Sequence, residues 1–296
     1  MKEAKFITFL AQAISEKSLI QNDEYFYLYK YMSFDPDFKL LELIKNQVLK
    51  YTKPKFLDDE YENDIQINWA PFLKSMGISH EINARYKQEY GEKIEVKLDR
   101  QAQHYFKYEL GVFSLSADPF NTSMWARYAD NSKGFLVEFK FPKHFSDISH
   151  LIPMQLTYKK NIQKLNGKEI KRIFLEASGE QSTIDQIDDE KFNILQKVLF
   201  TKASNWKDQK EYRLLEIELS EKEKKINELI LRKIPLEYIS SIVYGMNIDQ
   251  KNKETIEEII ANINLKNNVD IQTFQSIKHP KDATRYVADN HPRIKI

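Results

Sequence analysis

The residues best suited to chemistry in this sequence lie in the turn Gln209-Lys210-Glu211, inside the stretch TKASNWKDQKEYRLLEIEL from Thr201 to Leu219. Glu211 opens a strand, and Gln209 precedes it by two residues, so both side chains fall on the same side of one short turn. A carboxylate fixed at the mouth of a strand can accept a hydrogen bond from a ribose hydroxyl. It can also stabilise the positive charge that develops on a sugar as its glycosidic bond breaks. The residue two places earlier can orient the attacking nucleophile. A charged turn before an ordinary strand fits the same spacing. Alternation puts Tyr212, Leu214, Glu216 and Glu218 on one face and Arg213, Leu215, Ile217 and Leu219 on the other. Arg213 is expected on the face opposite the chemistry, in a structural pairing.

Other residues offer weaker starting points. Ser114 and Ser116, in FSLS, point to one face of a strand, where they line a polar pocket or pair with neighbouring groups. Trp125 and Tyr128 share one face of a short helix, with Arg127 between them. Helical spacing of aromatics usually means core, which is the expectation for Trp125, while Tyr128 is open to either role. The acidic run Asp58, Asp59, Glu60, Glu62 and Asp64 reads as a solvated loop or, with Lys53 or Lys55, as a Mg²⁺ site of nuclease type. The histidines at 80, 104, 144, 150, 279 and 291 form no HxxxH or HxH pair and are expected at surface or capping positions. No GxSxG, GxGxxG or P-loop motif occurs, which argues against a serine-hydrolase elbow, a Rossmann site and a P-loop.

These residues need a scaffold, and hydrophobic periodicity supplies its outline. An amphipathic helix over 4–17 docks on the core or serves as a partner-binding arm. YFYLYKY (25–31) is a buried strand, FKLLELIKNQVL (38–49) a helix, and Pro54 ends regular structure. A polar, mostly helical segment covers 56–110. Strands follow at GVFSLS (111–116), FLVEFKF and LIPMQLTY, with the helix capped by Asn121 or Thr122 between the first two. A Lys-rich helical region, a helix over 187–203, the strand from Glu211, YISSIVYG, a helix over 253–263 and DIQTFQ complete the order. The last eighteen residues read as a loosely packed tail. Neighbouring strands without intervening helices favour α+β over a doubly wound sheet. The simplest account is one domain over 1–296, with helical insertions near 60–110 and 160–200 and a short C-terminal tail.

Composition narrows the function classes. With 45 Lys+Arg against 44 Asp+Glu, the chain has no global attraction to nucleic acid or an anionic membrane. It has no cysteine, which removes disulfides, thiol nucleophiles and Cys-based zinc sites. No apolar run approaches the roughly 20 residues of a membrane span, and the N-terminus lacks a secretory pattern. A soluble, cytoplasmic protein is the expectation.

Four blocks together resemble a bacterial family, domain-of-unknown-function family 2971. They are LYKYMSF with the helix after it, FSLSADPFNTSMWARYADNSKGFLVEF, FTKASNWKDQKEYRLLEI, and IPLEYISSIVYG. The family pattern includes SLS, MWxxYAxxxxG and W-x-x-E-x-E-[YW]-R. This sequence departs from it twice: the F-N-D-P-F turn becomes KFLDDEY, keeping Phe56 and Asp58, and Gln209 replaces a glutamate. The block order is similar to that of ADP-ribosyltransferase folds. That resemblance implies a mixed or antiparallel sheet core of ADP-ribosyltransferase-like type with helical insertions, and NAD as substrate. It puts Lys30, in place of the usual His or Arg, on a first NAD-binding strand and Ser114 or Ser116 on a middle strand. Glu211 is then the catalytic carboxylate, Gln209 positions the acceptor, and Tyr128 and Trp206 shape the pocket. ADP-ribose would pass to water or to a macromolecular acceptor, protein or nucleic acid, in a toxin-like or phage-defence effector with a possible partner protein. The alternatives are a metal-dependent nuclease built on Asp58 and Asp59, and a non-catalytic sensor or partner-binding domain using the 4–17 helix.

Overall fold

A computed structural model describes residues 19–34, 46–59, 65–143, 151–161, 163–170, 189–217 and 219–295. Its strands are β1 (Tyr25–Met32), β2 (Val48–Tyr51), β3 (Ile65–Asn68), β4 (Gly111–Ser116), β5 (Phe135–Pro142), β6 (Met154–Gln155) and β7 (Thr157–Lys159). They continue with β8 (Gln163–Asn166), β9 (Thr201–Ala203), β10 (Glu211–Glu216), β11 (Ile230–Lys233), β12 (Ile239–Tyr244), β13 (Gln272–Lys278) and β14 (Tyr286–Ala288). The helices are α1 (Ala70–Ser75), α2 (His80–Tyr90), α3 (Ile94–Tyr108), α4 (Thr122–Tyr128), α5 (Asp189–Leu199) and α6 (Gln250–Asn267). The class is α+β, with helices around a mixed, largely antiparallel sheet.

Eight strands form the main sheet in the order β14-β13-β12-β5-β1-β4-β10-β6. Only β12 and β13 run parallel. Strict alternation gives each central strand two apolar faces. One face, with Phe26, Leu28, Phe113, Phe139 and Leu214, packs against Ile256, Ile260 and Ile263 of α6. The other divides in two. Val112 and Leu215 meet Phe106 of α3 and Leu195 and Leu199 of α5, while Tyr27, Tyr29 and Val243 meet Trp125 of α4 and Ile294. Among the described residues no helix is long and apolar enough to cross a membrane.

Several expectations need correction. Val48 and Leu49, read as the end of a helix, belong to β2. Gln47 adopts a left-handed conformation at φ 56°, which breaks the helical path, and Val48–Tyr51 then pair with β11. LIPMQLTY is two short strands. Leu156 still bonds to the Glu211 carbonyl, but Thr157 turns away to begin a parallel ladder with β9. That ladder also ends α5 at Leu199, four residues before the expected Ala203. The polar segment after 56 is helical as expected, although β3 and β8 form a parallel pair at its edge. The alternation from Glu211 stops at Glu216, and Leu219 joins the cluster of Tyr212 and Leu214. The C-terminal residues are no loose tail: β14 pairs with β13, and His291 and Ile294 are 1% and 2% exposed. The physical reason is Glu138, fully buried in β5, whose carboxylate takes two hydrogen bonds from Arg293 at 2.9 and 2.5 Å. The 4–17 helix, residues 38–45, 171–188 and Glu218 lie outside the described residues.

Candidate active site

β1 and β4 meet at one pair, Tyr29 opposite Ser116, and part beyond it. The chain leaving β2 enters this wedge. Thr52 exchanges two backbone hydrogen bonds with Val112 (2.7 and 2.8 Å), and a 3-10 turn at Pro54–Phe56 brings Leu57 and Asp58 to the opening. The result is a cavity of about 250 Å³ lined by Lys30, Asp58, Ser114, Ser116, Tyr128, Lys202, Gln209 and Glu211, with Tyr29, Leu115 and Met124 among its apolar and aromatic walls. Six of the seven residues singled out for the site therefore share one cavity.

Local backbone geometry aims the key turn. Ser204–Gln209 form a 3-10 helix, and Lys210 is left-handed at φ 44°, so the chain turns sharply into β10. Lys210 reaches outward to Asp118 at 2.9 Å, while Gln209 and Glu211 face the cavity. Glu211 stands opposite Ser116 and is 4% exposed. Its Oε1 accepts from Arg213 Nε at 2.7 Å and its Oε2 from Lys202 Nζ at 2.9 Å. Arg213 is thus on the same face as Glu211, because residues two apart in a strand point the same way. It does pair structurally, as expected, but its partners are the site carboxylate and the Leu199 carbonyl.

A directed hydrogen-bond chain leads away from this triad. Lys202 also donates to Gln209 Oε1 (3.0 Å), Gln209 Nε2 donates to the Tyr128 hydroxyl (2.8 Å), and that hydroxyl donates to Asp58 Oδ2 (2.5 Å). An ammonium can only donate, so the amide orientation of Gln209 is fixed by Lys202. Burial and the bond to Asp58 push the Tyr128 hydroxyl up to about 12, so it remains a donor at neutral pH. Burial works against the Lys202 charge, but Glu211 outweighs it and holds that ammonium above its ordinary range. The Glu211 amide donates to the Tyr158 hydroxyl at 2.8 Å, which braces the start of β10.

Lys30 spans the gap where β1 and β4 separate. Its ammonium donates to the Ser114 carbonyl at 2.9 Å and lies 4.8 Å from the centre of the Phe113 ring. Burial pulls it down to about 8, against the opposing pull of Glu211 and Asp58. Ser114 and Ser116 do share the cavity face. The Ser116 hydroxyl is committed to the turn, donating to the Gln209 carbonyl at 2.7 Å and accepting from Asp118 N at 3.0 Å. Trp206 stands behind the wall, its ring 5.2 Å from Lys202 Nζ and 4.6 Å from the Arg127 guanidinium. Trp125 is core, as its spacing suggested, at 1% exposure.

Lys202 and Asp58 had no assigned place in this site. Extending α5 to 203 hid Lys202, although Thr201-Lys202-Ala203 alternates like a strand that buries its centre. Asp58 separates from its neighbours: it bonds to Tyr128 while Asp59 is buried, and residues 60–64 lie outside the described residues. Among the described residues no group of three His, Cys, Asp or Glu side chains could hold a metal ion.

Comparison with known proteins adds one finding. Residues 124–214 match the model of a family described as a protein of unknown function, DUF2971. The match runs from α4 through β5 and the Gln209–Glu211 turn into β10, covering MWARYAD and WKDQKEYR, so the resemblance holds over that span. No curated protein and no solved structure significantly matches the chain.

Proposed function

We propose that this protein is an ADP-ribosyltransferase-like enzyme that cleaves the nicotinamide–ribose bond of NAD. One observation carries the reading: Lys30, Ser114 and Glu211 come from three distant segments, yet their strands are neighbours in the order β1-β4-β10 and their side chains face one cavity. The resemblance to ADP-ribosyltransferases gives Lys30 and either Ser114 or Ser116 to NAD binding and makes Glu211 the catalytic carboxylate. At about 250 Å³ the cavity is near the lower end of small-molecule pockets, about 300 Å³, and suits the nicotinamide-ribose end of a dinucleotide.

Glu211 is the stabiliser of the ribosyl cation in this reading. Lys202 and Arg213 hold it rigid, one on each oxygen. Each ionised carboxylate offers about four lone-pair directions, so two occupied ones leave room for a ribose hydroxyl. A preorganised carboxylate in a site shielded from water acts on developing positive charge without reorganisation. Lys30 adds a positive charge to the cavity wall for the anionic part of the substrate. The effector role, of toxin or phage-defence type, rests on the family resemblance alone.

The test is nicotinamide release from NAD by the purified protein in the presence of EDTA, beside Glu211→Gln. Release by the parent protein that falls at least 100-fold in the variant supports the reading. EDTA separates it from a metal-dependent nuclease. Removing the carboxylate leaves two buried cations without their partner, which can cost about 3–5 kcal/mol, so the variant's fold is checked by circular dichroism. Absence of release, together with no rise in melting temperature on adding NAD, overturns the proposal.

A further inference from the structure

From the hydrogen-bond chain along the cavity wall we infer that Asp58 is the general base that takes the proton from the attacking acceptor. This rests on the NAD-cleaving reading and names the residue that completes it. The family pattern has a glutamate two residues before Glu211, and this chain has Gln209, whose amide cannot take up a proton at neutral pH. Both ends of that amide are also engaged, by Lys202 and Tyr128. The remaining candidates on the wall are eliminated by their own bonds. Glu211 is held by two cations, Tyr128 is a donor, and Lys30 donates to a carbonyl. Among the described residues lining the cavity, Asp58 and Glu211 are the carboxylates. Asp58 Oδ2 accepts from Tyr128, and no hydrogen bond to Oδ1 occurs among the described residues. Asp58 is solvent-exposed, so an acceptor arriving from outside meets this carboxylate first.

The step balances without a further reagent. The C1′–N bond breaks with its electron pair going to nicotinamide, which leaves neutral. The acceptor oxygen or nitrogen bonds to C1′, and its proton passes to Asp58 Oδ1 and then to water. The Tyr128 hydroxyl holds the carboxylate at the correct angle, and Gln209 holds the tyrosine. The loss of a carboxylate at 209 is thereby offset by one supplied from another part of the chain.

Asp58→Asn retains an oxygen that can accept from Tyr128, so the fold and NAD binding are expected to persist, the latter read as an unchanged NAD-induced rise in melting temperature. Turnover is expected to fall about 10²–10⁴-fold, the range of a lost general base. The acid limb of the pH–rate profile should disappear, and formate should restore part of the turnover in Asp58→Gly. Charged and titratable groups around Asp58 are Asp59, Tyr128, Lys30, Lys202 and Arg213, with Glu211 on the same cavity, and Asp58→Asn keeps each of them. Turnover by Asp58→Asn equal to that of the parent, or reduced with an unchanged pH profile and no rescue by formate, overturns the inference while leaving the NAD reading intact. An inactive parent protein whose melting temperature NAD leaves unchanged overturns both.

Discussion

A lysine drawn out of water costs stability unless a carboxylate meets it, and Lys30 is met by a carbonyl instead. Burial holds its ammonium down to about 8 against an ordinary 10.5. Below pH 8 both folded and unfolded chains carry the proton, and the folded state bears the desolvation penalty. Between 8 and 10.5 the folded lysine has lost its proton and the unfolded one has not, so stability rises with pH across that window. Lys30→Met should therefore stabilise the protein at pH 7 by on the order of 2 kcal/mol, once water in the cavity is allowed for, and this gain should vanish by pH 10.5. Urea unfolding of parent and variant at pH 7, 9 and 10.5 reads the difference, and a constant difference refutes the argument. A residue that lowers stability where it lines a cavity fits a binding role. At this scale the sequence singled out Gln209, Glu211 and the two serines by spacing and Lys30 through the family resemblance, and all five line the cavity. It concealed Lys202 and Asp58, because their roles depend on a strand edge and a wedge filled by a distant segment, and local spacing encodes neither.

Strands and their breaks were more legible than the residues between them. β1, β4, β5, β10 and β12 stood out as short apolar or alternating runs, and alternation gave the residues that share a face. The ends were harder. Gln47 and Leu156 leave regular paths because tertiary partners, β11 and β9, outbid local propensity. Gly134, the last residue before β5, shows how tightly such an end can be fixed. Asp130, Asn131 and Ser132 are all left-handed, and the chain then passes so close to β1 that a Cβ on Gly134 would lie 2.0 Å from the Met32 carbonyl oxygen. Backbone cannot yield as a side-chain tip can. Gly134→Ala is expected to destabilise by about 3 kcal/mol or more, with loss of the adjoining β1 geometry that holds Lys30. Gly77→Ala is the control. It has φ +69° with open space around the added carbon, so conformational strain alone should cost about 1 kcal/mol. Equal destabilisation in the two, measured by chemical denaturation, would remove the steric account.

On the scale of the whole molecule, the C-terminal residues and the site are joined through the middle of the sheet. Glu138 in β5 accepts from Tyr29 at 3.2 Å, from Ser241 at 3.0 Å and from Arg293. His291 Nδ1 accepts the backbone amides of Arg293 and Ile294, so Nε2 carries the proton and faces Ser241 at 3.0 Å. Tyr29 in turn lines the cavity and precedes Lys30. The tail that read as loosely packed in sequence, being polar with two prolines, is what makes a carboxylate in the central sheet tolerable. Burial alone would raise the Glu138 carboxyl, but the hydrogen bonds from Arg293, with the His291 ring 3.6 Å away, outweigh it and hold it down to about 2 against an ordinary 4.5. The depressed value gives the sign: this contribution is fully present above about pH 4.5 and is lost as pH falls through about 2. Its size is on the order of 3 kcal/mol. Glu138→Gln should therefore be less stable than the parent by about that amount at pH 7, with the gap closing steadily between pH 4.5 and 2. Denaturant unfolding of both proteins across this range measures the gap, and one that stays constant with pH would mean that packing of the tail, and not the buried charge, holds the sheet's last strands in place.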